Sequence, residues 1–316
     1  MSLAAEASGP RRRRHLTWGR VARGSVPYGL ILPVLLIVGA ILAYPLYSLV
    51  RLAFQRYGLS ELIAHKGISV GTKNFSSILH DQVFWHVLLR TVVFTIANVG
   101  LTMVLGTLVA LLLVRLSTWV RVVLTSGLIL VWSVPVVVAV QVWYWMTNYQ
   151  NGVLNFTLTK LGLGDFFHHD WYGTTFSQLG IVTAMIVWGA LPFVVVTVYA
   201  ALSQVPRELV EAAEIDGAGS VRVFRDVTVP ILTPVLLILT SLSIIWDFGV
   251  FTQPYLLIGQ AHTGPSNELM GTYLFEEGYL KTDFGRGAAI SLVMLVVVAI
   301  LSVFYVRKMV RMGDAA

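Results

Sequence analysis

Long apolar runs separated by polar stretches set the pattern of this 316-residue chain. A helix crossing a bilayer needs about 20 largely apolar residues. Six stretches meet that length: Gly29–Val50, Thr91–Val114, Val122–Met146, Leu179–Leu202, Ile231–Ile258 and Gly287–Val306. One side chain inside them is acidic or basic, Asp247. The connections are charged or rich in Gly, Asn, Asp and Ser, as loops are. A spanning β-barrel needs alternating short segments. Unbroken runs such as Val293–Val298 and Leu236–Leu239 do not alternate. The expected fold class is all-α, a polytopic membrane protein with about six transmembrane helices.

Composition excludes the other classes. Hydrophobic residues make up 56% of the chain and charged residues 12%. Soluble domains carry roughly 25% charged residues, so a water-soluble globule or a disordered chain does not fit. With no cysteine there are no disulfides and no thiol catalysis. The net charge of +6 belongs to membrane orientation rather than nucleic acid. Fourteen of the 22 Lys and Arg fall in four places. These are the N-terminal tail, the second and fourth connections, and the C-terminal tail. Both termini are therefore expected in the cytoplasm. The first span follows a basic run, Arg11 to Arg14, and reads as an uncleaved anchor rather than a secretory signal. The expected organisation is a basic tail over 1–27 and a membrane domain over 28–316.

Several chemistries lack their motifs. No Gly is followed by Lys, so there is no G-x-x-x-x-G-K-[ST] phosphate loop. No His is followed by Glu, and the seven histidines are scattered; His168 and His169 read as solvated loop residues. There is no T-V-G-Y-G filter and no evident internal repeat of the kind secondary transporters show. No catalytic and no metal-binding residues are expected.

The polar segment after the fourth span is informative. Residues 203–229 hold three Arg against five acidic residues. Pro206 and Glu208 suit a helix start. Glu208, Glu211 and Glu214 group on one side of that helix, and Leu209, Val210 and Ala213 on the other. Gly217 supplies a left-handed stop. Ser220 is expected to cap a second short helix, which Pro230 ends before the fifth span. Two readings stand: a surface helix resting on lipid, or a docking element for a protein. Lipid-bound helices carry Lys and Arg on the polar face, and this one carries glutamates.

Glu211-Ala212-Ala213, Asp216-Gly217-Ala218, Phe224, Val229-Pro230 and Pro234 resemble the EAA signature of binding-protein-dependent ABC importer permeases. Other pieces resemble the carbohydrate branch, of maltose and glycerol-phosphate type. They are Gly152-Val153-Leu154-Asn155, then Trp188 with Pro192 and Phe193, then Thr263-Gly264-Pro265. The run from Thr272-Tyr273 through Phe284-Gly285 to Ala288-Ala289 is another. The likeness covers about Leu30 to Arg307. Gln260-Ala261-His262 departs from it as an apparent insertion, and the extra helices and large external domain of the maltose permease are absent.

The resemblance implies a type I ABC importer permease in the bacterial cytoplasmic (inner) membrane. It implies a second, homologous permease subunit, two copies of an ABC ATPase and an extracytoplasmic solute-binding protein. ATP and Mg would sit on the ATPase, with no cofactor on this chain. Glu211, Ala212, Ala213, Asp216, Gly217 and Phe224 would form the coupling element, and a carbohydrate the cargo. Alternatives are a permease for a polyamine or peptide, a secondary transporter, or a membrane-embedded enzyme.

Asp247 is the remaining signal, because an ionisable group in a span is costly and marks a wet or functional interior. Ser243 and Trp246 lie near it on the helix, and Thr252, Gln253 and Tyr255 follow. Carboxylate, hydroxyl, amide and aromatic groups together suit a sugar. The same Asp also reads as structural, pairing with backbone or a partner subunit. Gly249 is a point where the helix can kink. Trp143, Tyr144, Trp145 and Met146 read either as an interfacial belt or as a substrate platform.

Overall fold

A computed structural model describes residues 18–259 and 267–313, with side chains over 31–259 and 267–307. Most of the basic tail, 1–17, and the Gln260-Ala261-His262 and Thr263-Gly264-Pro265 segments lie outside the described residues. The first unit ends at Arg51. It consists of one helix, α1 (Trp18–Ala53), which runs two residues past that point. At 1.5 Å per residue its 36 residues exceed the ~30 Å apolar core of a bilayer.

The second unit begins with β1 (Gln55–Arg56), α2 (Leu59–Ile63), β2 (Ile68–Ser69) and α3 (Lys73–Leu79). The two strands pair antiparallel over two residues each. Then come α4 (Gln82–Arg115), α5 (Thr118–Ser133), α6 (Val136–Met146), α7 (Val153–Lys160) and α8 (Thr175–Leu202). After these follow α9 (Arg207–Ile215), α10 (Ser220–Val223), a π turn over Phe224–Thr228, α11 (Val229–Phe248) and α12 (Thr252–Gly259). Last are α13 (Met270–Phe275), a π turn over Glu276–Leu280 and α14 (Phe284–Gly313).

The core lies where α4 packs on α8 and α11 packs on both. The buried side of α4 carries Thr91, Thr95, Asn98, Thr102, Gly106 and Ala110, three or four residues apart. Such small residues let membrane helices approach closely. At Gly106 the approach is extreme: a Cβ there would meet Val194 Cγ1 at 2.5 Å. Asn98 Nδ2 donates to Phe94 O at 2.8 Å, which satisfies its donor side within the helix.

Among the described residues five helices are long and apolar enough to cross a membrane. The third expected span, Val122–Met146, is instead a bent pair: α5 and α6 meet at 102°. Pro135 is the cause. It lacks an N–H and pushes Val134 out of the helical region, to ψ 120. The fifth, Ile231–Ile258, is broken as well. α11 stops at Phe248 and Gly249 caps it, so Asp247 sits in the last turn rather than mid-helix.

Two local expectations need correction. Ser220 is the first residue of α10 rather than its cap, which is Gly219 without a side-chain bond. Pro230 does not end that helix. The π turn before it widens the backbone, and 220–248 runs on as one apolar span. The wider turn relieves the clash a proline ring makes with the preceding turn. Pro192 is likewise tolerated inside the 28-residue α8.

The other end of the bundle is tied by ions. Asp81 caps α4, accepting from Val83 N–H at 2.9 Å. Arg286 of α14 reaches Asp81 at 2.5 Å and Glu277 at 2.8 Å. Lys281 holds Glu277 at 2.6 Å and Glu276 at 3.3 Å. The chain turns tightly here, and a Cβ on Gly287 would lie 2.6 Å from Gly278 Cα.

Candidate functional site

Both helix breaks open onto one cleft of about 310 Å³. α5 and α6 supply Trp132 and Ala139 from either side of the Pro135 bend. α8 supplies Met185, Trp188 and Gly189, just before Pro192. α11 supplies Trp246 and Asp247, and Gln253 lies beyond the second break. Broken membrane helices are tolerated where the irregular backbone is buried or lines a cavity.

The aromatic side chains are organised. Trp132 Nε1 donates to Gly189 O at 2.9 Å, which fixes its ring. That ring stacks on Phe193 at 5.6 Å, and Phe193 meets Trp246 at 5.7 Å. Trp143 packs edge-on against Trp188 at 6.2 Å. A wall of flat, partly open rings runs along the cleft.

Asp247 is the exception to local rules. It is only 7% exposed. It stands at a helix C-terminus, where the macrodipole disfavours a carboxylate. Among the described residues no hydrogen bond or ion pair reaches its side chain. Burial of an unpaired charge is expensive, and residues that break such rules mark functional sites. Ser243, one turn earlier, is buried too.

The structure separates the other expected path residues. Tyr255 faces a different cluster, 4.8 Å from Phe251 and 5.0 Å from Phe275. Thr252 begins α12. Trp132 was not singled out in the sequence. Its signal, a Trp two residues before a Val-Pro pair, is weak without knowledge of the bend.

At the other end of α8, α9 carries the EAA residues. Its stop is a Schellman closure: Ala218 N donates to Ala213 O and Gly217 N to Glu214 O, both at 3.0 Å. Gly217 has φ +81, a conformation most side chains resist. The closure uses carbonyls of the motif itself, since Asp216 N donates to Ala212 O at 3.1 Å.

Behind α9 is a hollow of about 670 Å³, lined by Glu211, Glu214, Arg115, Arg207 and Phe224 among others. Arg121 forms its fixed edge. Its guanidinium donates to Leu113 O, Leu116 O and Tyr199 Oη at 3.0, 2.8 and 3.0 Å. On the elbow Ile215 is 87% exposed and Val221 82%. Large apolar side chains left this open mark an interaction surface when they cluster.

At the ionic end, burial and the neighbouring Glu276 carboxyl push Glu268 up to about 8. Burial opposes ionisation of Asp81 too. There the Val83 N–H, Tyr273 and Arg286 outweigh it and hold the carboxyl below its ordinary range. Burial raises the Tyr172 phenol to about 12 despite its bond to Thr147. Among the described residues no three His, Asp or Glu side chains form a metal-binding group.

Residues 102–311 match the family model of the binding-protein-dependent transport system inner membrane component. The chain belongs to that family. Its relatives include the diacetylchitobiose uptake system permease protein of Streptomyces coelicolor, 39% identical over 91% of this chain and 88% of the relative. The trehalose/maltose transport system permease protein of Thermococcus litoralis is 31% identical over 89% and 92%. Among solved structures, a bacterial alginate ABC transporter with its alginate-bound periplasmic protein aligns with TM-score 0.73. That match covers 92% of this chain and 96% of the other at 18% identity, and it establishes the fold. The chain is thus an ABC importer permease of the inner membrane, and the cleft and the elbow are features of that permease.

Proposed function

We propose that this permease carries a carbohydrate through the cleft beside Asp247, delivered by an extracytoplasmic binding protein. The observation that carries the reading is the buried Asp247 side chain, without a partner among the described residues and set among Trp132, Trp188 and Trp246. A carboxylate accepts hydrogen bonds and a protonated carboxyl also donates one, so either form suits hydroxyl groups. Aromatic faces cover the apolar side of a pyranose. Gln253 adds both donors and acceptors. The names of the diacetylchitobiose, trehalose/maltose and arabinooligosaccharide relatives support the cargo class.

The elbow of α9 and α10 couples this path to a separate ATPase. Glu211, Ala212, Ala213, Asp216 and Gly217 shape it, Phe224 backs it, and Ile215 and Val221 are apolar surface for the partner. ATP and Mg²⁺ bind on that ATPase, present in two copies, and a second homologous permease completes the path. Both termini and 203–229 lie in the cytoplasm, with 1–27 a basic tail and 28–316 the membrane domain. ATP binding draws the elbows together, and the helices rock to open the cleft outward. Each ligand shifts this equilibrium by its differential affinity for the two states.

Purification with its transport partners tests the coupling half. The ATPase stays bound to the wild type and is lost with Glu211→Lys. An ATPase that stays bound after deletion of 211–217 would overturn it.

A further inference from the structure

We infer that Asp247 makes the path selective by charge: it admits neutral and amino-bearing saccharides and turns away those carrying a carboxylate. This rests on the carbohydrate reading above and sharpens the cargo class within it.

The lining of the cleft comes from α5, α6, α8, α11 and the start of α12. Among the described residues, none of its lining is Lys, Arg or His, and Asp247 is the one ionisable side chain there. The remaining polar groups are neutral: the Gln253 amide and the indole N–H groups, of which Trp132 Nε1 is spent on Gly189 O. When the Asp247 carboxyl is ionised, a sugar carboxylate entering this cleft meets a like charge, and no cation among the described lining residues compensates it. Like charges repel more strongly beside apolar walls than in bulk water. Specificity is achieved as much by repulsion of the wrong ligand as by attraction of the right one.

The converse holds for donors. A carboxylate with no partner among the described residues is satisfied by a ligand O–H or N–H. An ammonium adds charge complementarity to that bond. Asp247 therefore acts as a specificity-determining residue, and Asn at this position would retain acceptor capacity without repulsion.

The test uses the intact permease–ATPase complex in nanodiscs, without nucleotide. The tryptophans lining the cleft report binding by intrinsic fluorescence. Three probes of similar size differ in charge: cellobiose, chitobiose with its free amines, and digalacturonate. The wild type is expected to bind the first two at least about tenfold more tightly than digalacturonate. Asp247→Asn should lose the preference for chitobiose and bring digalacturonate to within about threefold of cellobiose, a change a purely structural residue would not produce. Digalacturonate binding as tightly as cellobiose in the wild type overturns charge selection and leaves the carbohydrate reading standing. If none of the three binds while the complex still hydrolyses ATP, the carbohydrate reading itself fails, and this inference with it.

Discussion

Arg286 Nη2 lies 2.5 Å from Asp81 Oδ2, a pair separated by 205 residues of chain. It joins the cap of α4 to the first turn of α14. Tyr273 Oη donates to the same oxygen at 3.2 Å, and Glu277 takes the other side of the guanidinium. Both members of the pair are partly buried, so removing one leaves the other short of partners. Arg286→Ala is expected to destabilise the bundle by about 2 kcal/mol. Arg286→Lys should recover only part of that, because an ammonium lacks the planar fork. Thermal unfolding of the purified complex reads both variants; an unshifted transition for Arg286→Ala would count against a clamp.

Glu268 gives this end of the molecule a pH dependence. Its folded pKa of about 8 lies above the ordinary 4.5. The fold thus favours the protonated acid, and that contribution is full below pH 4.5 and gone once pH has risen through 8. Glu276 and Asp81 are shifted the opposite way and act at and below the ordinary carboxylate range. Lys281, raised by Glu277 and Glu276, titrates higher still. Between pH 6.5 and 8.5 the wild type should lose up to roughly 2 kcal/mol. Glu268→Gln should flatten the dependence in that window. Parallel pH curves for the two proteins would contradict the assignment.

The elbow makes a sharp contrast between two neighbouring glycines. Gly217 has φ +81, whereas Gly219 has φ −70 and open space at its Cβ position. Gly217→Val should cost about 1–2 kcal/mol locally and displace α10 from α9. Gly219→Ala should be close to neutral. Uptake and ATPase retention, measured on both variants, should fall for the first alone. Equal behaviour of the two would remove the turn from the coupling account.

Much of this architecture is legible in the sequence. Windows nearly free of charge mark the spans because a charge in the lipid core is costly. The stop at Gly217 is legible because a left-handed cap is a local event. The breaks are less so: hydropathy runs straight through Val134-Pro135 and Gly249, although the backbone cannot. The cleft is harder still. Trp132, Trp188 and Trp246 lie on three helices and converge only because two of them are interrupted. Asp247 stands out by type alone, but that it lacks a partner depends on packing. The Asp81–Arg286 pair leaves no local signal, since its members lie 205 residues apart in the chain.

The most direct test of the central claim is sugar uptake by the reconstituted importer carrying Asp247→Ala. The account predicts an apparent affinity for sugar at least about tenfold weaker, with the ATPase still bound. Uptake of unchanged affinity and rate would contradict it, and would leave Asp247 outside the translocation path.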